Sequence, residues 1–150
     1  MGLEQDINQT NFRNEFQKAG INFIYTYNWM NEKMKLFFER EDITSQQFNI
    51  LRILRGAGKP ISTLQIRQRM LDKMSDTSRI VDRLLIKELV IKTTCPIDKR
   101  LVDVSISSKG LQLLEKIDGY SQDMDAIFDN LTETDARMLN NLFDKLRAEK

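Results

Sequence analysis

Residues 92–110 read KTTCPIDKRLVDVSISSKG. Val102, Val104 and Ile106 alternate with other residues at the period of a strand, not of a helix. Just upstream, Val90 to Thr94 is also rich in β-branched side chains, which suit a pleated surface. Between the two runs, Pro96 and Asp98 favour a turn. The stretch therefore predicts a two-stranded hairpin with Lys99 and Arg100 near its tip. Such a hairpin is marginal alone in water and must lean on neighbouring helices.

The chain around it is 150 residues long, 41% apolar and 30% charged. That length predicts one domain with a core of its own. No run of about 18 apolar residues occurs, so no membrane partner is expected. No charged-then-apolar leader opens the chain, and a single cysteine cannot form an internal disulfide, so the expected compartment is the cytoplasm. Net charge is only +1, but its distribution is uneven. Residues 55–110 hold 12 lysines and arginines against 6 acids, and the remainder holds 11 against 16. One surface is thus expected to meet a polyanion and another not.

The flanking sequence reads as helix. From about Phe12 to Arg40, the residues Phe16, Phe23, Tyr27, Met30, Met34 and Phe37 recur at helical spacing, with Gly20 a point of bending or division. A helix this long and this aromatic is expected to pack on a second subunit as well as on its own domain. Thr44-Ser45-Gln46-Gln47 has the form of a capping box and opens a helix that ends near Gly56 or Gly58. Ser62-Thr63-Leu64-Gln65 repeats the box and opens a short helix through Met70. A further helix is predicted over 75–89, with Thr77, Ile80, Val81, Leu84 and Leu85 inward and Asp76, Arg79 and Arg83 on the opposite face. After the hairpin, Ser107 is placed to cap a helix carrying Leu111, Leu114, Ile117, Met124 and Phe128, with Gly119 able to loosen it. The last helix opens at Thr132-Glu133-Thr134-Asp135, its early acids favoured by the helix dipole.

Two short capped helices followed by a strand-turn-strand with basic residues at the turn make a winged helix-turn-helix pattern. The second helix has the width of a DNA major groove, where base edges are distinguishable. Ser75, Asp76, Thr77, Ser78, Arg79 and Arg83 are its candidate contacts. Arginine suits guanine O6 and N7, and Asp76 could accept from cytosine N4. Arg100 could enter the adjoining minor groove, whose narrow A·T stretches attract guanidinium groups. Asp98 fits better as a brace for Arg100 or a loop amide than as a group facing phosphate.

The run SDTSRIVDRLLIKELV, a short spacer, then DKRLVDVSISSKG closely resembles the multiple-antibiotic-resistance regulator (MarR) family. The matching motifs are Val81-Asp82-Arg83-Leu84, the wing Asp98-Lys99-Arg100, and Ser107-Ser108-Lys109-Gly110. The resemblance spans residues 44–115, while the outer helices fit by position and length. It implies a mainly α fold with a small β-hairpin: a winged lobe over about 44–110, and dimerisation helices over about 8–40 and 111–150. It implies a homodimeric repressor on a pseudopalindromic operator in double-stranded DNA, released by a small phenolic or lipophilic ligand or by thiol oxidation. The segment Leu71-Asp72-Lys73-Met74 departs from the family's Gly-containing turn. Which of Lys73, Ser75 or Asp76 touches bases is left open.

Phe23, Tyr27 and Met30 are candidates to line a ligand cavity, or else belong to core or interface. Cys95, the only thiol, is either a redox sensor helped by Lys92 or Lys99 or a small hairpin residue. The resemblance counts against sensing, since the family's peroxide sensors carry their cysteine in the first helix. Asp118, Asp123, Asp125 and Asp129 lack the glycine and glutamate spacing of a calcium loop. With no histidine, no phosphate-cradling loop and no activated nucleophile, neither catalysis, metal nor cofactor is expected. Two rivals remain: a winged-helix module that binds proteins without DNA, and a small enzyme.

Overall fold

The computed structural model describes residues 2–94, 96–98, 100 and 102–149. A single-turn helix, α1 (Leu3–Asp6), precedes the long α2 (Glu15–Glu39). α2 starts late, because the Asn14 side chain takes the Gln17 backbone N–H, and Phe12 therefore lies outside it. It continues through Gly20 without dividing and, at about 1.5 Å per residue, is roughly 37 Å long.

The lobe that follows is set by its caps. At the start of α3 (Ser45–Ala57), Thr44 and Gln47 satisfy each other's orphan N–H groups, as expected. α3 ends on Gly58 at φ 65°, a left-handed position open to glycine without strain. A second capping box, Ser62 with Gln65, opens α4 (Thr63–Arg69). Then come α5 (Thr77–Ile86), β2 (Val90–Thr94) and β3 (Val102–Ile106). Two residues before α4 form β1 (Ile61–Ser62), paired antiparallel to β3 through Ile61 and Val104. The predicted hairpin is thus part of a three-stranded antiparallel sheet in the order β1-β3-β2.

Ser107 caps α6 (Ser108–Asp118) by accepting the Gly110 N–H, and its own hydroxyl donates to the Glu88 carbonyl at 2.7 Å. A side chain at Gly110 would collide with the Leu89 carbonyl and lie 2.7 Å from Ile106 Cγ1, so α6 seats on the hairpin through a glycine. The single helix expected from Ser107 to Phe128 is broken. α6 stops at Gly119, and α7 (Ser121–Asp125) and a 3-10 turn (Ala126–Phe128) carry the chain to α8 (Glu133–Arg147). α8 opens on a capping box of Thr132 and Asp135.

One core joins these elements. Ile50, Leu51 and Leu54 of α3, Ile66 of α4, Val81 and Leu84 of α5, Val104 of β3, and Leu114 and Ile117 of α6 are buried, with Phe38 of α2 among them. Fully burying each such side chain contributes roughly 1.5–3 kcal/mol. The outer helices contrast with this. Phe16 of α2 is 88% exposed, and Met138, Leu142 and Leu146 of α8 are more than half exposed. An edge-to-face contact of Phe23 with Phe143, centroids 5.5 Å apart, joins α8 to α2. Among the described residues, no helix is long and apolar enough to cross a membrane.

Candidate nucleic-acid interface

α4 and α5 form the helix-turn-helix, and the turn between them is held by Asp72. Its side chain accepts the Met74 N–H at 2.9 Å and its carbonyl accepts the Ser75 N–H at 3.3 Å. The Lys73 ammonium donates to the Gln68 carbonyl. α5 begins two residues later than the sequence suggested. Asp76 is its N-cap, with a carboxylate oxygen taking the Arg79 N–H at 3.2 Å, so Ser75 and Asp76 precede the helix. The Asp76 acceptor is thereby already partly engaged. Thr77 is 5% exposed, which turns its side chain into the lobe and away from any base edge. Ser78, Arg79, Asp82 and Arg83 are exposed, on the side of α5 opposite Val81 and Leu84.

Two clefts of about 440 Å³ each flank the start of α5. One is lined by Gln46, Gln47, Arg79 and Arg83, the other by Leu64, Arg67 and Ser78, and both share Met74, Ser75 and Asp76. The N-terminus of α5 is therefore a ridge with basic side chains on either flank. Among the described residues, no carboxylate lies within 4.0 Å of Arg67, Arg69, Arg79 or Arg83. Several cations elsewhere are matched: Arg55 with Asp118 at 2.6 Å, Arg40 with Asp123 at 3.0 Å, and Lys116 with Glu41 at 3.1 Å. Arg67 and Arg69 were not singled out from sequence, although both count toward the basic surplus of 55–110. Their helix was legible only by its capping box and its end near Met70.

In the wing, Asp98 braces Arg100 as expected. Its carboxylate accepts the Arg100 backbone N–H at 3.0 Å, Nε at 3.1 Å and Nη2 at 3.2 Å. The guanidinium first, and that backbone N–H second, hold the Asp98 carboxyl below its ordinary value. The Arg100 side chain stays 90% exposed. At the wing's base, Lys92 of β2 reaches Asp82 of α5 at 3.3 Å, which ties the strand to the helix. Lys99 and Cys95 lie outside the described residues.

Phe23 and Tyr27 are about half exposed on α2. Further along the same helix, a cleft of about 410 Å³ is lined by Trp29, Lys33, Leu36, Phe37, Arg40 and Asp123. Arg40 lies over the Phe37 ring there, 5.7 Å from its centroid.

The MarR family model matches residues 43–102. Over those residues the chain is similar to the MarR family. HTH-type transcriptional regulator MhqR of Bacillus subtilis (strain 168) is 25% identical over 122 residues, covering 80% of this chain and 83% of that protein. A MarR mutant from E. coli, solved in complex with operator DNA, superposes with a TM-score of 0.81 at 24% identity. That match covers 93% of this chain and all of the other. BpsR of Bordetella bronchiseptica, whose DNA binding is regulated by 6-hydroxynicotinic acid, superposes at 0.77 with 20% identity, covering 87% and 99%. The two structural matches establish a MarR-type winged fold.

Proposed function

We propose that the chain is a double-stranded-DNA-binding transcriptional regulator, acting as a homodimer in the cytoplasm and not as an enzyme. The unpaired arginines around the start of α5 carry this reading. Exposed cations without acidic partners are free to displace counterions from a polyanion, which drives affinity. Ser78, Arg79 and Arg83 face base edges of the major groove, with Ser75 and Asp76 at its lip. Arg67 and Arg69 hold phosphates, and Arg100, with Lys99 beside it in sequence, anchors the wing in the minor groove. Asp98 serves by fixing Arg100.

The apolar faces of α2 and α8 support a dimer, because exposed apolar patches of this kind mark interfaces. Two lobes on successive turns require recognition helices about 34–36 Å apart, hence a pseudopalindromic operator. Repression relieved by a small aromatic or lipophilic molecule follows if that ligand favours another spacing. It shifts the equilibrium only as far as its affinities for the two spacings differ. The Trp29–Arg40 cleft, with aromatic walls and two cations, and the Phe23, Tyr27 and Met30 face are the places to look for it. The test is selection of bound fragments from the source genome, then titration of the enriched duplex at several salt concentrations. Enrichment of a two-fold-related sequence, with affinity falling steeply with salt, supports the reading. Equal retention of all fragments would sink sequence specificity.

A further inference from the structure

The DNA-facing side of the lobe carries apolar side chains that a phosphate surface does not call for. Met74 is 93% exposed and Leu64 is 63% exposed. Both line the cleft beside the start of α5, between Arg67 and Ser78. Met74 also borders the opposite cleft, which holds Arg79 and Arg83. Its place is fixed, because Asp72 holds the backbone on either side of it. Single exposed apolar residues are common and signify little. Two that share one cleft, with Arg67 and the already engaged Asp76 on its wall and Arg79 and Arg83 across the ridge, suit an occupant that is both polyanionic nearby and apolar at the point of contact. A major groove offers one such feature, the C5-methyl group of thymine.

We infer that Met74, backed by Leu64, reads a thymine methyl at the edge of each half-site. This rests on the DNA-binding reading and adds an element of specificity to it. Arginine contacts favour guanine through hydrogen bonds, whereas this apolar contact separates thymine from cytosine and from uracil. Met74 suits the task because an unbranched thioether adapts its shape to a methyl group without demanding one rotamer.

The experiment uses the full chain and the duplex it enriches, with each thymine replaced in turn by uracil. Uracil keeps every hydrogen bond and removes only the methyl. Wild type should bind about fourfold more weakly when one particular thymine per half-site is changed, the effect of withdrawing one methyl from apolar contact. Met74→Gln, similar in length, should bind the thymine and uracil duplexes alike, and its melting temperature should match wild type because the residue is exposed. Leu64→Ala should reduce the discrimination partway. Wild type indifferent to every uracil, or Met74→Gln that keeps the full discrimination, overturns the inference while leaving DNA binding intact. Loss of dimer in Met74→Gln with the discrimination kept assigns the patch to a subunit contact and likewise overturns it. A wild type that binds no duplex defeats the DNA reading and this inference together.

Discussion

The winged lobe and the outer helices expose opposite kinds of surface. In the lobe, α3 to α6 close over a buried core and, among the described residues, the arginines of α4 and α5 stand without carboxylates. On α8 both arginines are matched, Arg137 with Glu133 and Arg147 with Asp144, while Met138, Leu142 and Leu146 are bare. α2 repeats the outer pattern, pairing Lys35 with Glu39 and exposing Phe16, Ile24 and Leu36. Each region is incomplete in its own way. One lacks anions, the other lacks apolar cover, so one chain has surfaces for two chemically different partners.

The same substitution in the two regions should separate them most strongly. Leu84 is fully buried in α5, and Leu84→Ala should cost about 2–5 kcal/mol of lobe stability by leaving a cavity. Leu142 is 56% exposed on α8, so Leu142→Ala should barely alter the unfolding of an isolated chain. It should instead raise the dimer dissociation constant by about a hundredfold, if the exposed half of the leucine is buried at each of the two copies. Urea unfolding at low concentration and sedimentation across a concentration series read the two effects. If Leu142→Ala left self-association unchanged, the claim of an unfilled apolar face on α8 would fail.

Next in size are the arginines. Arg83→Ala should weaken operator binding about tenfold to a hundredfold, the range of a lost base contact, with no change in melting temperature. Arg67→Ala should weaken all duplexes alike and lower the salt slope by about one. Gel-shift titration at graded salt distinguishes these. A falling melting temperature in either variant would mean that the side chain supports the fold and not a ligand.

Local signals were the legible part of this chain. Thr44, Ser62 and Ser107 were readable as caps because each lies three residues before the backbone N–H it receives. The Val102–Ile106 alternation showed the wing, and Asp98 next to Lys99-Arg100 suggested its brace. β1 was not legible, since two residues have no period and Ile61 becomes a strand only by meeting Val104 forty-three positions away. The start of α5 was ambiguous because Ser75 and Asp76 are both good caps. Thr77 appeared both as an inward residue and as a DNA contact, and the helix start decides for the first. Which cations are free was hidden for the same reason as β1: Arg55 and Arg40 find their acids 63 and 83 residues away.

The joint between the two regions gives the smallest effect and the most informative pH dependence. Glu41, just past α2, accepts from the Tyr120 hydroxyl and pairs with Lys116 of α6 at 3.1 Å. The Tyr120 hydrogen bond first, and Lys116 after burial is offset, hold the Glu41 carboxyl below its ordinary 4.5. A carboxylate lowered in this way adds stability that is present above its unfolded value and lost as pH falls through its folded one. Tyr120 moves oppositely: burial, then the Glu41 carboxylate, push it up to about 12 from 10.0. Its contribution is complete below pH 10 and disappears as pH rises through about 12. Absorbance titration of phenolate should therefore show a step near 12 in wild type that is missing from Tyr120→Phe. That variant should lose roughly 1.5 kcal/mol at neutral pH, the low end for a hydrogen bond to a charged group because the pair is only part-buried. It should also lose part of Glu41's share of the wild type's acid sensitivity, since Glu41, still paired with Lys116, then titrates closer to its unfolded value. If acid sensitivity were identical in the two proteins, Glu41 would not be held by Tyr120, and the joint would rest on the Lys116 pair and on the packing of Phe37 and Phe38.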